Sequence, residues 1–227
     1  MANMAMILPL TQKATDSPFS GQTSCVVERS HLKDLATESD LMQLELPPNF
    51  GEVVKGIYRS AFPSPRHLPA LKSLGLRTII TLVEEPYEAS HLDFLKENRI
   101  AHLRIIVQPN KDLAEKTPDH VINGILEILL DKANHPVLIH CNKGKHRTGC
   151  VVACFRKVQG WKSRDIQEEY LSYSRLKSRV ADLQFIEQYD ASTLDLLAEC
   201  SGVKSWTSTS DYRHQEPGRT RYIHDSS

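Results

Sequence analysis

Apolar and polar positions along the chain fall into blocks of two alternating kinds, and a polar run closes each end. "GEVVKGIYRS" (51–60) predicts a short strand pair, and "LPALKSLG" (68–75) a short helix stopped by Gly75 as its C′ glycine. "RTIITLVE" (77–84) is a continuous β-branched run, the pattern of a strand buried on both faces. "ASHLDFLKENR" (89–99) reads as an amphipathic helix with Leu92 and Leu95 three apart and Phe94 beside them, and "IAHLRIIV" (100–107) as another strand.

"TPDHVINGILEILLDKANH" (117–135) opens with a helix-start signature, Thr117 as N-cap and Pro118 at the first helical position. Val121, Ile125, Ile128 and Leu129 form its apolar face. "PVLIH" (136–140) is a short buried strand, followed by a helix from about Thr148 to Val158 that ends at Gly160. Two more helices start near Ser163 and Val180. Strand and helix alternation of this kind predicts an α/β fold with a mainly parallel central sheet flanked by helices. The folded unit is expected over 45–200, with a disordered or loosely attached segment at 1–44 and a flexible tail at 201–227.

Composition narrows this only a little. The 227 residues suit one domain with tails, and the formal net charge of zero argues against a general polyanion binder, so no nucleic-acid partner is expected. The longest apolar runs are far short of a membrane span, and the opening "MANMAMILPL" lacks the basic lead of a signal peptide. Five cysteines without a CxxC or a zinc-ligand spacing predict reduced thiols, no metal and no cofactor, in the cytoplasm with access to the nucleus.

The chemistry concentrates in "HCNKGKHRTG" (140–149), between the strand and the helix. A loop there lies at the carboxyl edge of a parallel sheet, where its amides and the helix N-terminus make an anion cradle. Gly144 allows the turn and Gly149 opens the helix without a side chain in the way. Arg147 is placed to grip two phosphate oxygens, and Cys141 to act as a nucleophile whose thiolate the cations and amides favour. Thr148 is the candidate to hydrogen-bond the sulfur or assist its departure. Cys-x5-Arg-Thr-Gly in this context is the signature of cysteine-dependent phosphatases; an inert cysteine among surface cations is the bland alternative. Cys150 and Cys154, four apart on the helix, read as core thiols, with a redox partner role for Cys150 as the alternative.

Asn142 and the loop amides would hold the equatorial oxygens, His140 would orient the loop and tune the cysteine, and His146 would face the substrate. Lys143 and Lys145 add charge beyond what a single phosphate needs. Arg59 is expected to pair with a buried carboxylate.

"GIYRSAFPSPRHLPALKSLGLRTIITLVEEPY", "PNKD", "HPVLIHCNKGKHRTGC" and "FRKVQGW" together resemble the plant-and-fungal atypical dual-specificity phosphatases, over roughly residues 46–192. The resemblance implies a dual-specificity phosphatase-like fold, a metal-independent phosphocysteine mechanism, and removal of the β-phosphate from inositol pyrophosphates. It also implies that Asn110, Lys111, Lys177 and Arg179 form an outer substrate ring. A general acid is implied about thirty residues before the cysteine, where Asp112, Glu115 and Asp119 are the choices and Asp112, in the loop proper, is preferred. The rival readings are a phosphatase of phosphotyrosine or mixed phosphoproteins, a phosphoinositide-sensing scaffold with residual catalysis, and rhodanese-type sulfur transfer.

Overall fold

The computed structural model describes residues 44–110 and 117–209. Five strands form one sheet in the order β1-β2-β5-β3-β4, comprising β1 (Gly51–Val54), β2 (Ile57–Ala61), β3 (Thr78–Thr81), β4 (Ala101–Arg104) and β5 (Val137–Cys141). The strand pair predicted at 51–60 is an antiparallel hairpin, and every other pairing is parallel. The helices are α1 (Leu68–Ser73), α2 (Ala89–Glu97), α3 (Asp119–Leu130), α4 (Arg147–Val158), α5 (Ser163–Ser174), α6 (Val180–Gln188) and α7 (Asp195–Ser201). This is the α/β architecture that the alternation predicts.

Two apolar clusters hold the layers together. The larger joins β2, β5 and the helices α3 to α7, and the smaller joins α1, α2 and the far sides of β3 and β5. β5 is central, with all five residues buried, because α4 and the α1–α2 layer cover opposite faces. A fully buried strand cannot shift register without moving both layers, and so it fixes where its last residue lies.

Several local expectations shift. α3 begins at Asp119 with Pro118 as its N-cap, one residue later than predicted. The Thr117 hydroxyl donates instead to the Gln108 carbonyl at 3.1 Å, tying down the preceding loop. In α2 the buried positions are His91, Phe94 and Leu95, while Leu92 is exposed. His91 takes the inward place because its Nε2 bonds the Pro63 carbonyl at 2.8 Å and its ring lies 4.8 Å from that of Tyr87.

The expected flexible tail begins too early. Val203 is fully buried, Lys55 N–H donates to the Thr207 carbonyl at 3.0 Å, and Gln159 Nε2 donates to the carbonyls of Val203 and Trp206. One buried valine and these backbone bonds keep residues 201–209 on the domain. The expectations for 1–43 and 210–227 lie outside the described residues.

Candidate active site

Cys141 is the last residue of β5 and is 3% exposed. The chain then turns through Asn142–His146 and enters α4 at Arg147, so the thiol sits under the N-terminus of a twelve-residue helix. The helix macrodipole favours negative charge there. Gly144, at φ +64°, presses on β2: a Cβ would lie 2.6 Å from the carbonyl carbon of Ser60. No other residue fits both that conformation and that approach.

Three consecutive loop carbonyls are tied to groups outside the loop. Asn142 O accepts from Phe62 N–H (3.4 Å), Lys143 O from Asn49 Nδ2 (2.7 Å), and Gly144 O from Arg59 Nη2 (2.9 Å). A trans peptide holds its N–H opposite its C=O. Fixing these carbonyls from behind therefore turns the N–H groups of Lys143, Gly144 and Lys145 the other way, which is how a backbone anion cradle is built.

A cavity of about 650 Å³ opens over this loop, lined by Cys141, Asn142, Lys143, His146, Arg147 and Arg179 on one side. Glu84, Glu85, Ile106, Val107, Gln108 and Pro109 line the other. Asn142 Nδ2 donates to Glu85 Oε1 at 2.6 Å, clasping the loop to the segment after β3. That bond, with Arg147 nearby, holds the Glu85 carboxyl below the usual carboxylate range. His146 Nε2 donates to the Lys177 carbonyl at 2.6 Å, which fastens the α5–α6 connection to the loop.

The sequence profile described as "Tyrosine phosphatase family" matches residues 45–202. The chain belongs to this family. It is 44% identical over 152 residues to the inositol diphosphatase DSP1 of Oryza sativa subsp. japonica, covering 66% of this chain and 68% of that protein. It is 43% identical over 174 residues to the inositol diphosphatase DSP4 of Arabidopsis thaliana, covering 75% and 87%. The solved catalytic core of the PP-IP phosphatase SIW14 from S. cerevisiae superimposes with a TM-score of 0.67 at 38% identity, covering 73% of this chain and 99% of that one. P. aeruginosa TpbA, at 21% identity and a TM-score of 0.56, shares the fold. The chain is a cysteine-dependent phosphatase.

In this phosphatase the predicted residues separate into groups. Cys141, Asn142, Lys143, His146, Arg147 and Arg179 meet at the cavity, and Gly144 shapes its floor. Arg179 has a buried Nη1 with no hydrogen-bond partner among the described residues, so it retains a donor for a ligand. Thr148 is fully buried beside the loop, and its hydroxyl has no hydrogen-bond partner there either. Lys145 is half-buried and Lys177 exposed; neither lines the cavity, and Lys177 contributes its backbone carbonyl instead.

Two of the predicted site residues, His140 and Asn110, do not line the cavity, which removes Asn110 from the outer ring. The His140 ring is wholly buried, its Nε2 shared between Thr81 Oγ1 (2.9 Å) and Tyr87 Oη (2.5 Å). Burial, with His102 next in effect, pushes its pKa down to about 3, so it is a neutral scaffold group beneath the cysteine. Asn110 is also buried: its amide donates to Asp182 Oδ1 at 3.1 Å and lies 3.7 Å from Cys150 Sγ. β5 and the segment after β4 carry these polar groups inward because their partners wait there, on Thr81, Tyr87 and Asp182.

Lys111, Asp112 and Glu115 lie outside the described residues, and Asp119, in the first turn of α3, does not line the cavity. Burial and then Asp182 push the Cys150 thiol well up, which suits a packing role rather than a redox one. Among the described residues no group of three or more His, Cys, Asp or Glu could hold a metal. No described helix is long and apolar enough to cross a membrane.

Sequence reasoning missed the far wall of the cavity. Glu84 and Glu85 come three and four residues after β3 ends, and the carboxyl ends of neighbouring parallel strands share one edge. That rule alone could have placed them opposite the loop. Asn49 and Phe62 carried no such signal, since their contacts are with backbone carbonyls.

Proposed function

We propose that this phosphatase removes the β-phosphate of diphosphoinositol polyphosphates through a phosphocysteine intermediate. The observation that carries this reading is the lining of the cavity: Lys143, His146, Arg147 and Arg179 surround Cys141, and no Phe, Tyr or Trp is among the described lining residues. Phosphotyrosine recognition calls for a deep slot that grips a ring. A wide, cationic, non-aromatic mouth suits a small ligand carrying several phosphates. Relatives more than 40% identical that bear the name inositol diphosphatase support the same class.

In the reaction Cys141 Sγ attacks the terminal phosphorus in line, forming the S–P bond as the P–O bond to the bridging oxygen breaks. Arg147 and the N–H groups of the loop hold the equatorial oxygens while charge moves from sulfur to the leaving oxygen. Inositol polyphosphate departs with its own phosphate as the leaving group, which needs less protonation than an alkoxide does. Asp112 supplies whatever proton is required; Glu85, held ionised by Asn142, is a poor donor. Water then hydrolyses the phosphocysteine, and the Thr148 hydroxyl assists the departing thiolate. Lys111, Lys145 and Lys177 contribute long-range attraction for the polyanion. The catalytic unit is 45–200 with the short packed extension to 209, acting in the cytoplasm with access to the nucleus.

The test is phosphate release from a panel of diphosphoinositol polyphosphates against phosphotyrosine peptides, with Cys141→Ser as the blank. The expected result is kcat/KM higher for the inositol pyrophosphates by orders of magnitude. The reverse ranking would move the enzyme to phosphoproteins.

A further inference from the structure

Arg59 is a buried cation that the proposed chemistry has not used. It is 1% exposed, on β2, and its Nη2 donates to the Gly144 carbonyl at 2.9 Å. A Cβ built on Gly149 would lie 3.8 Å from the same nitrogen, so the guanidinium fills the space behind the loop and the first turn of α4. Its Nε and Nη1 have no hydrogen-bond partner among the described residues. Among the described residues no carboxylate is paired with it, Glu169 acting only from farther off: the guanidinium carbon lies 3.6 Å from the centre of the Tyr173 ring instead. Gly51 leaves the room for that ring, since a Cβ there would run into the Tyr173 hydroxyl.

A buried cation without a carboxylate, next to the positive end of a helix, is an unfavourable arrangement when nothing negative is close. Across the loop, however, lies Cys141. Burial pulls the Arg59 pKa down, while Tyr173, Glu169 and Cys141 each pull it back up. The remaining charged groups near the thiol are Arg147, Lys143, His146 and Arg179, with Glu84 and Glu85 on the opposite wall and a neutral His140 beneath. Arg59, 1% exposed, approaches from the protein side, where water screens it little.

We infer that Arg59 is a positioning residue for the phosphatase reaction: it holds the Gly144 carbonyl outward, turning the Lys145 N–H toward a bound phosphate, and its buried charge favours the Cys141 thiolate. This rests on Cys141 as nucleophile and not on the identity of the inositol substrate.

The test therefore uses a small aryl phosphate, with Arg59→Met and Arg59→Lys as variants. Three quantities are measured: thermal unfolding, kcat and KM, and the pH dependence of Cys141 alkylation by iodoacetamide followed by mass spectrometry. For Arg59→Met, kcat is expected to fall about 100-fold with KM changed less than about threefold, the range for losing one aimed backbone donor. Its alkylation midpoint should move up by about one pH unit, the scale of losing a close cation. Arg59→Lys keeps the charge but not the fork, so its midpoint should stay within about 0.3 pH unit of the parent while kcat remains about tenfold low.

A folded Arg59→Met protein with parental kcat and midpoint would overturn the inference. So would failure of both variants to fold, which would assign Arg59 to stability alone. Undiminished turnover by Cys141→Ser would instead sink the nucleophile assignment, and the inference with it.

Discussion

Arg156 and Arg59 are both buried, at 4% and 1% exposure, yet their surroundings are opposite. Arg156 is bonded at every nitrogen: Nε and Nη2 grip the Glu169 carboxylate at 2.9 and 2.8 Å, Nη1 reaches Gln159, and Nη2 also reaches the Val53 carbonyl. Trp161 covers its face at 3.9 Å. Among the described residues Arg59 makes one hydrogen bond, to the catalytic loop, and leaves two nitrogens without a partner. A buried guanidinium bonded at every nitrogen is a structural joint, here binding α4 and α5 to β1. One with donors left over, set behind a nucleophile, gains from a thiolate or a phosphate in the site as well as from Glu169.

The sharpest way to break this contrast is Arg156→Met. Removing one partner of a buried ion pair costs about 3–5 kcal/mol, or roughly 6–15 °C in Tm for a domain of this size. Turnover per folded molecule should stay within about twofold of the parent. If kcat fell as far as in Arg59→Met, the division between joint and catalytic support would collapse.

Gly144→Ala comes next, because it disturbs the loop without touching either arginine. Its Cβ would meet the Ser60 backbone at 2.6 Å, and φ +64° is strained for alanine. The loop must move, costing about 1–3 kcal/mol of stability. The fall in kcat should exceed what that loss of folded protein explains, as steady-state assays on the folded fraction would show.

His140 belongs with the structural groups despite its place beside the nucleophile, since its buried Nε2 is held by Thr81 and Tyr87, and acid titration tests that. Its folded pKa of about 3 lies below the ordinary 6.5, so between these values the unfolded chain binds the proton and the folded one does not. Stability should therefore fall as pH drops through that window, by about 1.4 kcal/mol per pH unit. Denaturant unfolding at a series of pH values would show a shallower acid slope in His140→Gln. An equal slope would mean that other groups carry the acid sensitivity.

The smallest effect sharpens the contrast most. Asn49 ties the Lys143 carbonyl as Arg59 ties that of Gly144, but it carries no charge. Asn49→Ala should cost about 1 kcal/mol or less, being an exposed bond, and lower kcat a few-fold. Its alkylation midpoint should match the parent, since only the aim of one amide changes. A shifted midpoint would show that amide direction, rather than the Arg59 charge, sets the thiolate.

Much of this molecule can be read in one dimension. The β-branched runs at 77–84 and 136–140, the helix that follows Arg147, and Cys-x5-Arg between them locate the nucleophile and its cradle, because strand–loop–helix geometry and anion binding are properties of contiguous backbone. The same holds for the α/β class, which follows from periodicity alone. Contacts between distant segments are of another kind. That Asn110 turns to Asp182 rather than to the cavity, and that His140 bonds Tyr87 and Thr81, depends on which side chains the packed layers bring face to face. Polar residues beside an active-site loop look alike in sequence whether they point to solvent or to the core. Arg59 shows the limit most clearly: that Glu169 pairs with Arg156 and leaves Arg59 to Tyr173 and the loop is decided only by the packing of β2, α4 and α5 around it.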